Sequence, residues 1–170
     1  SAASVSQFTD VNPGAWYYQA VDYVVKNGLF VGTSDTTFSP NANMTRGMFV
    51  TVLGRLAKAD ASKYTGSRFK DVDARQYYAP YVEWAATYGI VNGMTTTTFA
   101  PNSSITREQI AAILYRFAGK TGNDTTYTAD AYNTFADKNS VSDYAAESVK
   151  WATSKKIING DAGKIKPKNT

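Results

Sequence analysis

At 170 residues the chain is long enough to bury a core as one domain or one compact repeat assembly. It has no cysteine and no histidine, which removes disulfides, thiolate chemistry, the usual general base and the commonest metal ligand. The net charge of +4 is local: 12 Lys/Arg face 13 Asp/Glu up to Val149, while six lysines face Asp161 alone from Lys150 onward. A basic stripe through the chain, as nucleic-acid binding needs, is therefore absent, and the lysine-rich end reads first as a solvated terminus and second as a segment suited to an anionic surface such as a wall polymer. No apolar run is long enough to span a bilayer.

The chain is a repeat. Phe8, Asp10, Gly28, Gly32, Phe38, Pro40, Thr45 and Arg46 return, each 61 positions later, as Phe69, Asp71, Gly89, Gly93, Phe99, Pro101, Thr106 and Arg107. A third copy opens at Phe135-Ala136-Asp137, continues through Trp151, Gly160 and Pro167, and stops short of its own Thr-Arg pair. A constant period marks one supersecondary unit stacked on copies of itself. The copies are bounded at 1–60, 61–124 and 125–170, together forming one compact domain.

Each copy begins with a helix. In the first it runs Trp16–Asn27, with Val21, Val24 and Val25 on one face and Gly28 as its stop. In the second, Tyr78, Val82, Ala85 and Ala86 form the stripe, Pro80 sits in the tolerant first turn and Gly89 ends it. In the third, Val149 and Ala152 carry the stripe, and Trp151 aligns with Trp84. A short apolar step and a Thr/Ser-rich loop follow, closing on Phe38-Ser-Pro40, Phe99-Ala-Pro101 or Ile165-Lys-Pro167.

A second helix starts at Thr45 or Thr106. Phe49, Val52, Leu53 and Leu56 recur at i, i+3, i+4 and i+7, as do Ile110, Ile113, Leu114 and Phe117. Thr106-Arg-Glu-Gln109 has capping-box form; in the first copy Met48 stands at the Gln position, so the box is half built. The fold class is all-α: helix-loop-helix repeats suited to a pseudo-threefold bundle, with the third repeat incomplete. Apolar surface of the third copy should then lie exposed unless a continuation past Thr170, or a partner segment or chain, supplies the missing helix.

Arg46 and Arg107 follow the N-cap threonines, at the partly positive helix end, where a cation costs about 0.3–1 kcal/mol. A choice made twice needs compensation. An anion held by the guanidinium and the first-turn amides would supply it. So would an internal pair with Asp10, Asp71 or Asp137 of a neighbouring copy. Gly32 and Gly93 permit close backbone approach to a ligand or another chain. The aspartates suit turns and caps first, and ligand contacts second. Trp16 and Tyr77 occupy matching places at the start of the first helix, as bundle anchors or sugar platforms.

The ordered pattern Phe-x-Asp-Val, an aromatic-led helix ending in Gly-(Ile/Leu)-x-x-Gly, and Phe-x-Pro-x-x-x-(Met/Ile)-Thr-Arg resembles the S-layer homology domain. It covers two whole copies and the first half of a third. The resemblance implies a secreted anchoring module of the bacterial cell surface, in which grooves hold a pyruvylated secondary cell wall polysaccharide attached to peptidoglycan. It tethers an S-layer protein or exoenzyme, without cofactor, metal or membrane insertion. The family motif Thr-Arg-Ala-Glu, whose arginine binds the acid, appears as Thr45-Arg46-Gly47-Met48 and Thr106-Arg107-Glu108-Gln109. The implied carboxylate-binding residues are Arg46, Arg107, Thr45 and Thr106, with Gly32, Gly93, Asp10, Asp71, Asp137, Trp16 and Tyr77 lining the grooves. Gly47-Met48 departs furthest from the motif, so the groove at Arg107 is expected to be the closer match.

Two other classes fit the sequence less well. A structural assembly module of the cell surface, without glycan binding, is the alternative, and would survive loss of the arginines. An enzyme such as a glycosidase needs two acids facing one cleft. Here Asp10, Asp71, Asp137 and the pair Asp22/Glu83 recur once per copy, which suits a symmetric binder. Asp71-Val72-Asp73 lacks the rest of a calcium loop.

Overall fold

The computed structural model of the chain describes residues 44–158 and 163–170. The expectations placed on Asp10, Trp16, Asp22, Gly28, Gly32 and the Phe38–Pro40 turn lie outside those residues, as does that on Gly160.

Among the described residues the chain is all-α, as its periodicity predicts. The helices are α1 (Arg46–Leu56), α2 (Ala79–Thr87), α3 (Arg107–Lys120), α4 (Asp130–Asn133) and α5 (Ala146–Ser154). Short 3-10 turns lie at Ala61–Lys63, Lys138–Ser140 and Asp143–Ala145. An isolated antiparallel bridge joins Thr45 and Ser104.

Two compact units emerge, one of them Asn43–Ile105 and the other containing Thr106–Thr170. In the first, α1 packs on α2; in the second, α3 and α4 pack on α5. Each unit therefore joins the second helix of one copy to the first half of the next. The packing unit is staggered by half a repeat from the sequence unit.

The stagger corrects the expectation of a bare third copy. Val149, Trp151 and Ala152 are fully buried, and Ile157, Ile158 and Ile165 are 1% exposed. The apolar stripe of α5 has its partner already, in α3 of the preceding copy. Ile110, Ile113, Leu114 and Phe117 of α3 are all buried. Each such side chain contributes roughly 1.5–3 kcal/mol when removed from water. On α1, Phe49 and Leu53 are buried and Val52 is half-buried, while Val50 joins the core unannounced by the stripe. On α2, Tyr78, Val82 and Ala85 are buried as expected; Trp84 takes the core place assigned to Ala86, which is half-buried.

The helix stops differ in chemistry. Gly89 follows α2 at φ +70°, the left-handed conformation expected of it. After α5 the same role falls to Lys156 at φ +59°, a conformation that costs a side chain about 1–2 kcal/mol.

Candidate functional site

Both long helices begin as the sequence predicts. Thr45 Oγ1 accepts the Met48 amide at 3.1 Å, and Thr106 Oγ1 accepts that of Gln109 at 3.3 Å. The Gln109 side chain returns to the Thr106 amide at 3.0 Å, which completes the capping box that Met48 leaves half built. Arg46 and Arg107 accordingly occupy the first helical position of α1 and α3.

The first-turn amides are not available to an anion, which corrects that part of the expectation. The Arg46 and Gly47 amides donate to Ser103 O and Pro101 O, both at 2.9 Å. In the second unit those of Arg107 and Glu108 donate to Asn169 O at 2.9 Å and Pro167 O at 3.0 Å. The third amide meets the cap hydroxyl, and the fourth, of Phe49 or Ile110, meets the Thr45 or Thr106 carbonyl at 3.0 Å. The three amides that follow each cap are thus satisfied within its unit. Carbonyl oxygens from the loop of the next copy supply the negative end that an arginine at this position needs.

Arg46 is 5% exposed. Its Nε donates to Phe99 O at 2.9 Å, and its guanidinium lies 4.6 Å from the centre of the Phe99 ring. A cation over a ring face gains about 0.5–2 kcal/mol, more as water is excluded. Arg107 is 1% exposed. Ile165 takes the place of Phe99 and offers no ring face; among the described residues Arg107 Nε finds no acceptor, though the side chain has other interactions.

Asp71 and Asp137 act on the backbone. The two oxygens of Asp71 accept the amides of Phe99 at 2.9 Å and Ala100 at 2.8 Å. Those of Asp137 accept Ile165 at 2.7 Å and Lys166 at 2.8 Å. Each clamp holds a residue in the left-handed region, Ala100 at φ +58° and Lys166 at φ +52°, immediately before a proline. The clamp shapes the loop whose carbonyls receive the helix end. Burial raises the Asp137 carboxyl, but the two amides outweigh it and hold the group below its ordinary value.

Gly93 serves the same loop from inside. At φ +81°, a Cβ there would stand 2.5 Å from Phe69 Cε1 and 2.6 Å from Thr95 O. The close approach that this glycine permits is to its own chain. Phe69 in turn is buried against Phe99, with ring centres 5.6 Å apart.

Tyr77 is 52% exposed and stands edge-on to Tyr78, centres 5.2 Å apart, so it is a rim residue and not a bundle anchor. Its counterpart in copy three, Tyr144, is 54% exposed. The sequence reading missed it because the third copy carries one extra residue between Asp137 and the helix.

Beside each arginine the units diverge. Gly47 faces the Tyr78 ring, at 3.1 Å from a would-be Cβ. In the second unit Glu108 stands at the Gly47 position and Ala145 at that of Tyr78. Glu108 is 2% exposed; it accepts Lys168 Nζ at 2.9 Å and the Ser142 amide at 3.3 Å, and Lys168 also donates to Ser142 Oγ. Burial pushes the Glu108 carboxyl up, but bonds from Ser142, Lys168 and Tyr144 prevail and hold it below its ordinary value. Lys168, read in the sequence as part of a solvated end, is a partner of the helix. No group of three or more acidic side chains capable of holding a metal occurs among the described residues, and none of their helices is long and apolar enough to cross a membrane.

A sequence model of the S-layer homology domain matches residues 7–47, 68–111 and 134–170. An endoglucanase of Bacillus sp. (strain KSM-635) is 33% identical over 171 residues, covering 99% of this chain and 18% of that protein. A surface-layer 125 kDa protein of Lysinibacillus sphaericus is 35% identical over 117 residues, 64% of this chain and 10% of that protein. A cellulosome-anchoring protein of Acetivibrio thermocellus is 31% identical over 113 residues, 64% of this chain and 25% of that protein. The chain thus spans a quarter or less of the length of these relatives.

Proposed function

The chain belongs to the S-layer homology domain family, a cell-surface anchoring module, and from that premise we propose that it binds an anionic secondary polysaccharide of the bacterial wall. The acid is a pyruvyl ketal carboxylate, received at Arg46 and Arg107 beside Thr45 and Thr106. Asp71, Asp137 and Gly93 set the receiving loop, and Tyr77 and Tyr144 offer exposed ring faces for the sugar. The observation that carries this reading is duplication. The same arrangement, an arginine buried at a helix start against the loop of the next copy with an exposed tyrosine at the rim, is built once in each unit.

Its task is to tether a larger protein without itself performing catalysis. Relatives named as a surface-layer protein and a cellulosome-anchoring protein support this role. Those named as enzymes share only a small part of their length with the chain, consistent with an anchor carried beside a separate catalytic part.

The test is co-sedimentation with bacterial wall sacculi, intact or stripped of their secondary polymer, using the wild type and an Arg46→Lys/Arg107→Lys variant checked by circular dichroism. Binding to intact walls alone, weakened at least tenfold in the folded variant, is expected. Equal binding to stripped walls, unchanged by the substitutions, would favour an assembly module that recognises protein.

A further inference from the structure

The loop that receives Arg46 carries a reactive pair at its start. Asn92 is exposed, and the half-buried Gly93 follows it. Among the described residues neither the Asn92 side chain nor the Gly93 amide takes part in a hydrogen bond. A peptide nitrogen whose residue has no Cβ meets little hindrance in turning toward the preceding carboxamide. Asn102 supplies the contrast on the same loop. It too is exposed with its side chain unbonded, but the next residue, Ser103, has a Cβ and its amide donates to Ala100 O at 3.3 Å. We propose that Asn92 is a site of spontaneous covalent modification: it closes on the Gly93 nitrogen as a succinimide, and the isoaspartyl product undoes the loop that holds Arg46.

Water is the only co-reactant. Hydroxide takes the Gly93 amide proton, and the nitrogen attacks Asn92 Cγ. The new N–Cγ bond closes the ring as the Cγ–Nδ2 bond breaks, and ammonia leaves with a proton from water. Water then opens the ring. Attack at the Cγ carbonyl gives an aspartyl residue with the main chain as before. Attack at the main-chain carbonyl gives isoaspartate, whose chain runs on through Cβ and Cγ and is longer by one methylene, about 1.5 Å. The added length falls where the chain has no slack. Gly93 sits at φ +81° with Phe69 Cε1, Thr95 O and Thr98 O crowded around its Cα, and the Met94 amide donates to Thr98 O at 2.8 Å. The next residue, Phe99, packs on Phe69 and offers Arg46 Nε its carbonyl at 2.9 Å. The product also places a carboxylate in a stretch that has no charged side chain between Glu83 and Arg107. The modification thus reaches the candidate site through its loop, without touching the arginine. It needs no ligand, so it stands apart from the anchoring reading.

The experiment is incubation of the protein at mildly alkaline pH, folded and in urea, followed by mass spectrometry of the tryptic peptide Gln76–Arg107, which carries both Asn92 and Asn102. An isoaspartyl methyltransferase counts the isoaspartate formed. In the folded protein Asn92 should convert at least tenfold faster than Asn102 and within tenfold of its own rate in urea. Aged wild type should melt several degrees below fresh protein. Asn27-Gly28 and Asn159-Gly160 carry the same dipeptide, so Asn92→Gln is aged in parallel and should keep a higher melting temperature than aged wild type. Asn92→Asp brings the charge without the added length and should melt like fresh wild type. A folded rate at Asn92 less than tenfold above that of Asn102, or more than tenfold below its rate in urea, would overturn the modification site. Absence of isoaspartate, equal thermal loss in aged Asn92→Gln, or an Asn92→Asp protein that melts as low as aged wild type would overturn the effect on the loop.

Discussion

Gly54 of α1 and Tyr81 of α2 meet so closely that a Cβ on the glycine would stand 2.3 Å from Tyr81 Cδ1. In the second unit the sizes are exchanged: Tyr115 takes the place of Gly54, and Ser148 takes that of Tyr81. Tyr115 packs edge-on to Trp151, centres 5.4 Å apart, and donates to Glu147 at 3.1 Å. Two turns earlier on α1 and α3, Gly47 stands beside Tyr78, and the equivalent positions in the second unit are Glu108 and Ala145. In both units the second helix of one copy packs on the first helix of the next, in the first with a tyrosine of the latter over a glycine of the former. Gly54→Ala should cost about 1–3 kcal/mol through overpacking, and Gly54→Ala/Tyr81→Ala should recover part of it; urea denaturation checks both.

Asp71 and Asp137 are predicted to be stabilising through the backbone. Replacing either by Ala removes two charge-assisted bonds to amides. The expected loss is about 1–2 kcal/mol, larger at Asp137, which is the less exposed of the two. Asn substitutions, which keep one acceptor oxygen, should lose roughly half as much. Chemical denaturation of the single variants reads the order.

Ala100 offers the converse. It is held at φ +58°, which a residue with a Cβ adopts at a cost. Ala100→Gly should stabilise by roughly 0.5–1 kcal/mol, less the added freedom of glycine in the unfolded chain. A melting temperature raised by a few degrees is the expected result, and a fall would show that the clamp fully relieves the strain.

At Gly93 the sign reverses. Gly93→Ala adds a Cβ 2.6 Å from Thr95 O and 2.8 Å from Thr98 O, backbone atoms that cannot rotate away. A loss of about 2–4 kcal/mol is expected from the strain of the left-handed conformation and the clash together. Loss of near-ultraviolet ellipticity from the surrounding aromatic residues would accompany it.

Acid should loosen the second unit. Asp137 and Glu108 are held below their ordinary values of 3.8 and 4.5. A carboxyl whose value is lower folded than unfolded binds fewer protons in the folded state. Its contribution is complete above the unfolded value and is lost as pH falls through the folded one. The urea midpoint should therefore decline as pH drops below about 4.5, and Asp137→Asn and Glu108→Gln should each flatten that decline.

The sequence by itself determined what is local or periodic. Thr45 and Thr106 cap helices because a hydroxyl reaches an amide three residues on. Ile110, Ile113, Leu114 and Phe117 are core because a 3.6-residue turn puts them on one face. The 61-residue period, the all-helical class and the arginines at the first helical position follow from such short-range rules. What those helix ends meet was decided only in the tertiary structure. Arg46 meets the Phe99 carbonyl across 53 residues, Glu108 meets Lys168 across 60, and Asp71 meets Ala100 across 29. Repeat boundaries read from sequence place each second helix with its own first helix. The apolar faces instead close with those of the next copy, because burial rewards the best-fitting neighbour in space, and chain order does not enter it. Glycine against tyrosine, and glutamate against lysine, are fits of volume and charge between segments that no single periodicity connects.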